Sequence, residues 1–249
     1  SPYYIMEYVD HQTGDQLSNE DAPTYFAELG EYLGKIHSLP LQTESELYGW
    51  VGYIDEELQP FPKDDYQSLE SFIKSEVDTY HERIVDQDRF DDWVADSATK
   101  VLEYIDTTTL LDDRPRCYCH RDIKEANTFI TDTGSIQGII DWSPIVADPL
   151  YEFASIQMRL LESSKDPYPY ATTDSVQEHL IETYHENYFR HSPLTKPINE
   201  TAFLLYKIII ILRTLGSFNN WFDQFSTETQ IESQNYNEEK LQRLLEQLL

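Results

Sequence analysis

Cysteine is nearly absent from this 249-residue chain, which has only Cys117 and Cys119. Two residues at i and i+2 of one strand do not readily reach disulfide geometry, so the pair predicts a reducing, cytoplasmic setting. Cys-Tyr-Cys-His also falls short of a zinc site, because no second Cys/His pair stands at ligand spacing. Small apolar packing is the better account. Basic residues are scarce too, with 18 Lys and Arg against 46 Asp and Glu and a formal net charge of −28. Nucleic acids and anionic membrane surfaces both need Lys/Arg patches, so neither is an expected partner. There is no signal peptide and no twenty-residue apolar run. The strongest apolar stretch, Ala202 to Tyr206 and Ile208 to Leu212, holds Lys207 and reads as a buried helix.

Hydrophobic residues make up 40% of the chain, enough for one substantial domain with a real core. The acids are spread along it, with clusters at Asp55-Glu56-Glu57, Asp64-Asp65, Asp91-Asp92, Asp112-Asp113 and Glu238-Glu239. An acidic pocket needs only a few carboxylates, and an interaction tail would gather them at one end. Adaptation to high salt fits the distribution better, since molar salt shortens the Debye length to about 3 Å and suppresses self-repulsion. A halophilic protein is therefore expected.

The densest chemistry lies at His120-Arg121-Asp122-Ile123-Lys124-Glu125-Ala126-Asn127, followed by Asp141-Trp142. An Asp and an Asn five residues apart, then an Asp closing a short hairpin, match the phosphoryl-transfer constellation of kinase-type enzymes. Arg116 to Cys119 reads as a strand. Asn127 to Thr131 and Ile136 to Ile140 read as two more, joined by the turn Asp132-Thr133-Gly134-Ser135. Folding that hairpin brings Asn127 opposite Ile140 and Asp141. Two hard oxygen donors there suit Mg²⁺, which keeps water and nucleotide oxygens in its shell. The bland reading is that these residues cap turns, but the spacing of all of them together favours chemistry.

Around this core the chain resembles the aminoglycoside phosphotransferase and choline-kinase-like enzymes, which share the protein-kinase fold. Tyr3-Tyr4-Ile5-Met6-Glu7-Tyr8-Val9 resembles their inter-lobe strand and hinge. Leu29-Gly30-Glu31-Tyr32-Leu33-Gly34-Lys35-Ile36-His37-Ser38-Leu39 resembles a helix ending in a His-Ser-Leu-like step. Ile139-Ile140-Asp141-Trp142, then Ala147-Asp148-Pro149 and Phe153-Ala154, resembles their Asp-Trp and Asp-Pro steps. The resemblance implies an ATP- and Mg²⁺-dependent phosphotransferase acting on a small-molecule hydroxyl. Aminoglycoside-, choline- and sugar-like acceptors all stay open, cationic ones among them. Asp122 would be the base or the hydroxyl-orienting group, and Asn127 and Asp141 the Mg²⁺ ligands. His120 would fix the loop. Lys124 would either neutralise the transferring phosphoryl group or sit solvated at the surface. Backbone groups of Glu7, Tyr8 and Val9 would bind adenine.

Two departures qualify the resemblance. The family usually has His-Gly-Asp where this chain has His120-Arg121-Asp122 with Lys124 beyond, a protein-kinase-like touch. Yet Asp141 is followed by Trp142-Ser143, and no Ala-Pro-Glu step closes an activation segment. Glu152 stands where the family often has Asp. No glycine-rich loop or strand Lys precedes the hinge, and Ser1 is not an initiator Met, so a chain carrying the C-terminal lobe alone is expected. A catalytically silent, kinase-like binding module is the rival.

The expected fold class is α+β, a mostly helical C-terminal lobe of protein kinase-like fold with a small β-hairpin insert and no N-terminal lobe. Residues 1–14 would form the hinge region and 115–155 the catalytic unit; 55–113 and 175–249 would form helical acceptor-binding regions. Helices are expected from a cap at Asp21, over Leu69 to Ile84, over Phe90 to Ile105 and from about Leu150 to Leu161, with three more closing the chain. Leu41 to Pro62, rich in Gly and Pro, reads as an irregular loop. Trp142, Trp221, Phe222, Asp223 and Tyr236 are candidates for the acceptor walls, with core packing or a solvated surface as the plainer alternative. Nothing in the sequence sets the oligomeric state.

Overall fold

A computed structural model describes residues 12–14, 17–41, 48–54, 57–60, 66–142, 144–158, 174–194 and 196–249. The helical frame begins with α1 (Ala22–His37), whose Tyr25, Phe26, Leu29 and Leu33 recur at helical spacing and are fully buried. Asp21 occupies the cap position expected of it. Its carboxylate accepts from Ser18 Oγ at 2.5 Å rather than from the helix's own amides. Gly30 faces α5 (Asp174–His191) so closely that a Cβ there would lie 2.4 Å from the Tyr184 carbonyl oxygen. The missing side chain is what lets the two backbones meet.

Helices α2 (Leu69–Asp86) and α3 (Asp92–Thr107) pair beside this unit. Ser68 and Ser71 form a reciprocal capping box that starts α2, an arrangement of the kind that contributes about 1 kcal/mol. Helix α6 (Glu200–Gly216) is the apolar stretch of the sequence. Ile208 to Leu212 are all buried, and the helix packs against α2, against α4 (Pro149–Ile156) and against α8 (Thr227–Leu248). A helix apolar on nearly every side is explained by having neighbours on nearly every side. No helix among the described residues is long and apolar enough to cross a membrane. The five-residue α7 (Phe218–Phe222) links α6 to α8, so among the described residues four helices rather than three follow α4.

Among the described residues, two small antiparallel sheets complete the frame. In the first, β1 (Gln12–Thr13), β5 (Thr128–Ile130) and β6 (Ile136–Ile139) lie in the order β1-β5-β6. In the second, β2 (Gly49–Ile54), β3 (Glu57–Pro60), β4 (Cys117–Cys119) and β7 (Ile145–Ala147) lie in the order β3-β2-β7-β4. The second sheet corrects the irregular loop expected over residues 41–62. Strand β2 pairs with β7 through Gly49↔Val146 and Trp50↔Ile145, a partner nearly a hundred positions downstream that local glycines and prolines do not reveal. The fourth helix is α-helical to Ile156 and continues as a π-helical turn over 157–158; residues 159–161 of its expected span lie outside the described residues.

Candidate active site

Strand β4 ends at Cys119 and delivers His120 into a loop held between the two sheets. The hairpin β5–β6 follows in the expected register, Thr128↔Ile139 and Phe129↔Gly138. Asn127 itself belongs to a short 3-10 turn, Glu125–Asn127, rather than to the strand. The hairpin still closes over it, because the Ile140 amide donates to the Asn127 carbonyl at 2.9 Å. Asp141 therefore leaves the hairpin beside Asn127, with φ of +60°. Aspartate tolerates that left-handed backbone better than most residues. Its carboxylate is exposed and enters no ion pair among the described residues.

Asp122 and Asn127 meet directly. The Asn127 Nδ2 donates to the Asp122 carbonyl at 2.8 Å and to its Oδ2 at 3.3 Å, which turns Oδ1 away from Asp122. Lys124 Nζ lies 2.9 Å from Asp122 Oδ2, and Arg213 Nη2 lies 3.7 Å from Oδ1. The carboxylate thus stands half-buried between two cations. His120 is fully buried. Its Nε2 donates to the Ile140 carbonyl at 3.0 Å, its Nδ1 accepts from the Asp122 amide at 3.3 Å, and its ring packs on Trp142 with centroids 4.5 Å apart. With both nitrogens engaged, the ring ties the loop to the hairpin's end.

A single buried carboxylate pins the loop from below. Glu152 of α4 accepts the His120 amide at 2.9 Å and the Arg121 amide at 2.6 Å, and pairs with His37 Nε2 at 2.9 Å. Burial pushes the Glu152 carboxyl up, but His37 and the His120 amide outweigh it and hold it below its ordinary value. Burial likewise opposes charge on His37, while the Cys119 sulfur and the Glu152 carboxylate carry it up to about 9. Tyr188 closes the network with its hydroxyl 2.7 Å from His37 Nδ1. This anchor holds Arg121 at φ +72°, a conformation that costs a long side chain about 1–3 kcal/mol. Asp148 builds a second brace. It caps α4 through the Leu150 amide at 2.9 Å and accepts from Arg114 Nε at 2.6 Å and Tyr206 Oη at 2.9 Å.

The fold brings His37 to Cys117 and Cys119 with ligand atoms within 4.8 Å of one another, a third potential metal ligand that spacing along the sequence does not reveal. Both His37 nitrogens already have partners, and the two sulfurs donate to the Ala147 and Asp148 carbonyls at 3.7 and 3.8 Å. Burial pushes both thiols up, Cys119 well above its ordinary value. The cluster is a packed, hydrogen-bonded core under the loop.

A cleft of about 410 Å³ opens between α2, the Arg121 loop, the end of α6 and α7; Asp122 does not line it but lies 3.7 Å from Arg213, which does. Arg121 and Arg213 reach it, and Trp221 is the one acceptor-wall candidate that lines it. Phe222 stacks on Phe218 at 4.4 Å, Trp142 lies against His120, Asp223 is exposed, and Tyr236 packs under Lys240. The roles of three residues that matter here are not legible in the sequence, where Arg121 shows only as a departure from the family's His-Gly-Asp. Arg213 hid at the end of an apolar helix, and Glu76 and Arg121 form a buried ion pair across 45 positions. Buried charge inside an apolar pattern was the available cue. Glu7, Tyr8, Val9 and Ser143 lie outside the described residues.

The model of the phosphotransferase enzyme family (APH) matches residues 1–194. No curated protein sequence matches the chain. Among solved structures, aminoglycoside phosphotransferase APH(4)-Ia superposes with a TM-score of 0.61 at 20% identity, over 95% of this chain and 69% of the other. A thermostable mutant of that enzyme, in a ternary complex with AMP-PNP and hygromycin B, gives 0.60 at 21% identity, over 95% and 69%. A putative fructosamine-3-kinase from Thermobifida fusca YX-ER1 gives 0.51 at 18% identity, over 93% and 68%. At these identities the likeness establishes the kinase-like fold.

Proposed function

Because this chain belongs to the phosphotransferase enzyme family, we propose that it transfers the γ-phosphoryl group of ATP to the hydroxyl of a small molecule. The observation that carries the reading is the meeting of Asp122, Asn127 and Lys124 in one loop, with Asp141 delivered beside them by the hairpin. The solved relative holding AMP-PNP supports the choice of ATP as donor. Residues 1–14 are proposed as the hinge region, with Glu7, Tyr8 and Val9 taking the adenine, and 115–155 as the catalytic unit. On this reading the chain is the helical lobe that carries the catalytic loop and the acceptor cleft.

In the proposed step the acceptor oxygen attacks the γ-phosphorus, the bond to the β-phosphate oxygen breaks, and ADP leaves. The hydroxyl proton passes to Asp122, which first orients the hydroxyl by accepting its hydrogen bond. Lys124 offsets negative charge at the transferring group. Arg213 steadies Asp122 from the opposite side. His120 and Glu152 hold the loop and move no proton.

The residues present fit a magnesium ion. Asn127 has spent its amide nitrogen on Asp122 and keeps Oδ1, and the Asp141 carboxylate has no ion-pair partner among the described residues. Two hard oxygens with room for water and phosphate match that ion's preference. When bound, Mg²⁺ supplies charge neutralisation at the phosphate oxygens. The test is ATP consumption by the full-length protein, in molar salt with Mg²⁺, across a panel of hydroxyl-bearing metabolites. Asp141→Asn is expected to raise the Mg²⁺ concentration needed for half-maximal rate by at least about tenfold. An unchanged requirement removes Asp141 from the metal site.

A further inference from the structure

The cleft inverts the charge of the molecule around it. The chain carries 46 acids and 18 bases, yet among the described residues the cleft is lined by three arginines, Arg83, Arg121 and Arg213, and one acid, Glu76. Glu76 is already committed, since it pairs with Arg121 and accepts from Tyr80 Oη at 2.5 Å. Counting Asp122, which lies 3.7 Å from the lining Arg213, three cations face two anions among the described residues. Arg213 is held only loosely by Asp122 at 3.7 Å. Its Nη1 donates to the Arg121 carbonyl at 3.0 Å, and its guanidinium lies over the Trp221 ring at 5.7 Å. Arg83, exposed at the mouth, enters no ion pair among the described residues. Its helix neighbours Asp78, Glu82 and Asp86 are exposed and do not line the cleft.

Positioning guanidinium groups in a cleft costs desolvation that an anion would offset, and a forked guanidinium matches carboxylate and phosphate oxygens in particular. Trp221 packs under the Arg213 guanidinium before a ligand arrives, which reduces the side-chain freedom lost on binding. An ammonium-bearing acceptor would meet the opposite arrangement among the described residues, surplus cations and a lining carboxylate, Glu76, already paired with Arg121.

We infer that the acceptor is an alcohol carrying an anionic group, carboxylate or phosphate, which Arg83 and Arg213 hold in this cleft while the hydroxyl faces Asp122. This rests on the phosphotransferase reading and narrows its substrate to a class opposite in charge to an aminoglycoside or choline.

The experiment uses the full-length protein with MgATP. Transfer of the γ-phosphoryl group is measured to glycerate, gluconate and glycerol 3-phosphate, and in parallel to choline, ethanolamine and kanamycin. Calorimetry follows binding of the same compounds. Transfer and binding are expected within the first group, with carboxylate and phosphate members separating the two anion types. Arg83→Gln should raise KM for the anionic acceptor about tenfold, with KM for ATP little changed, and Arg83→Lys should recover part of the loss. Transfer confined to choline, ethanolamine or kanamycin overturns the substrate class and leaves the phosphotransferase reading standing. A rise in KM for ATP instead of for the acceptor also overturns it, because Arg83 would then serve the nucleotide. Arg83-dependent binding of an anionic alcohol without transfer upholds the anion site and sinks the phosphotransferase reading. Failure of all three anionic alcohols to bind ends the proposal.

Discussion

Glu152 is the residue on which the loop's geometry turns. One buried carboxylate accepts two consecutive backbone amides, one of them from Arg121 in a left-handed conformation, and pairs with a buried histidine. Removing one member of such a pair leaves the other buried and uncompensated, at a cost of about 3–5 kcal/mol. Glu152→Gln is therefore expected to lower stability by roughly that amount in urea denaturation, and to slow turnover in the fraction that stays folded. The pair also sets a pH dependence. His37 is raised from 6.5 to about 9, so its contribution is complete below 6.5 and is lost as pH rises through about 9. Glu152 is depressed, so its contribution is present above the ordinary carboxylate value and is lost as pH falls through the lower folded value. Stability should decline between pH 6.5 and 9 in the native protein, and the decline should flatten in Glu152→Gln. An identical alkaline slope in both would remove the pair as its cause.

At the scale of elements, the contact of α1 with α5 carries the clearest mechanical constraint. A methyl group at Gly30 would press on the Tyr184 carbonyl, which is backbone and cannot rotate away, so the helices must separate. Gly30→Ala should cost about 1–3 kcal/mol despite alanine's better helix propensity, as read by thermal or urea unfolding. A stabilised variant would mean that the two helices do not pack this closely. Helix α1 was legible in the sequence because Tyr25, Phe26, Leu29 and Leu33 repeat at 3.6-residue spacing, but its partner was not. The hairpin β5–β6 was legible for a local reason as well: alternating apolar residues meet around Gly134, which adopts φ +75°. Strands β2 and β3 went unseen because their place depends on β7, far away in the chain. The same distance rule applies to the site. Asp122, Asn127 and Asp141 lie within twenty residues and could be read together. Arg213 reaches the Arg121 carbonyl across 92 positions, and only the fold brings them into contact.

The whole molecule carries a net charge of −28, and its exposed acids include Asp78, Glu82, Asp86, Asp91 and Asp92 around α2 and α3. At 0.1 M ionic strength the Debye length is about 10 Å, long enough for neighbouring carboxylates to repel, whereas at 1 M it is about 3 Å. Transfer from molar salt to dilute buffer is expected to unfold the chain, read as loss of helical ellipticity in the far ultraviolet. An unchanged spectrum would count against adaptation to salt. Against that acidic surface, the described lining of the cleft carries three arginines, Arg83, Arg121 and Arg213, and one acid, Glu76. On the proposed mechanism Asp122 takes the acceptor's proton in front of a bound nucleotide. The decisive experiment measures γ-phosphoryl transfer and MgATP affinity side by side for the full-length protein and Asp122→Asn. Turnover should fall by about 10²–10⁴-fold with MgATP affinity nearly unchanged; turnover within a few-fold of the native rate would contradict the account.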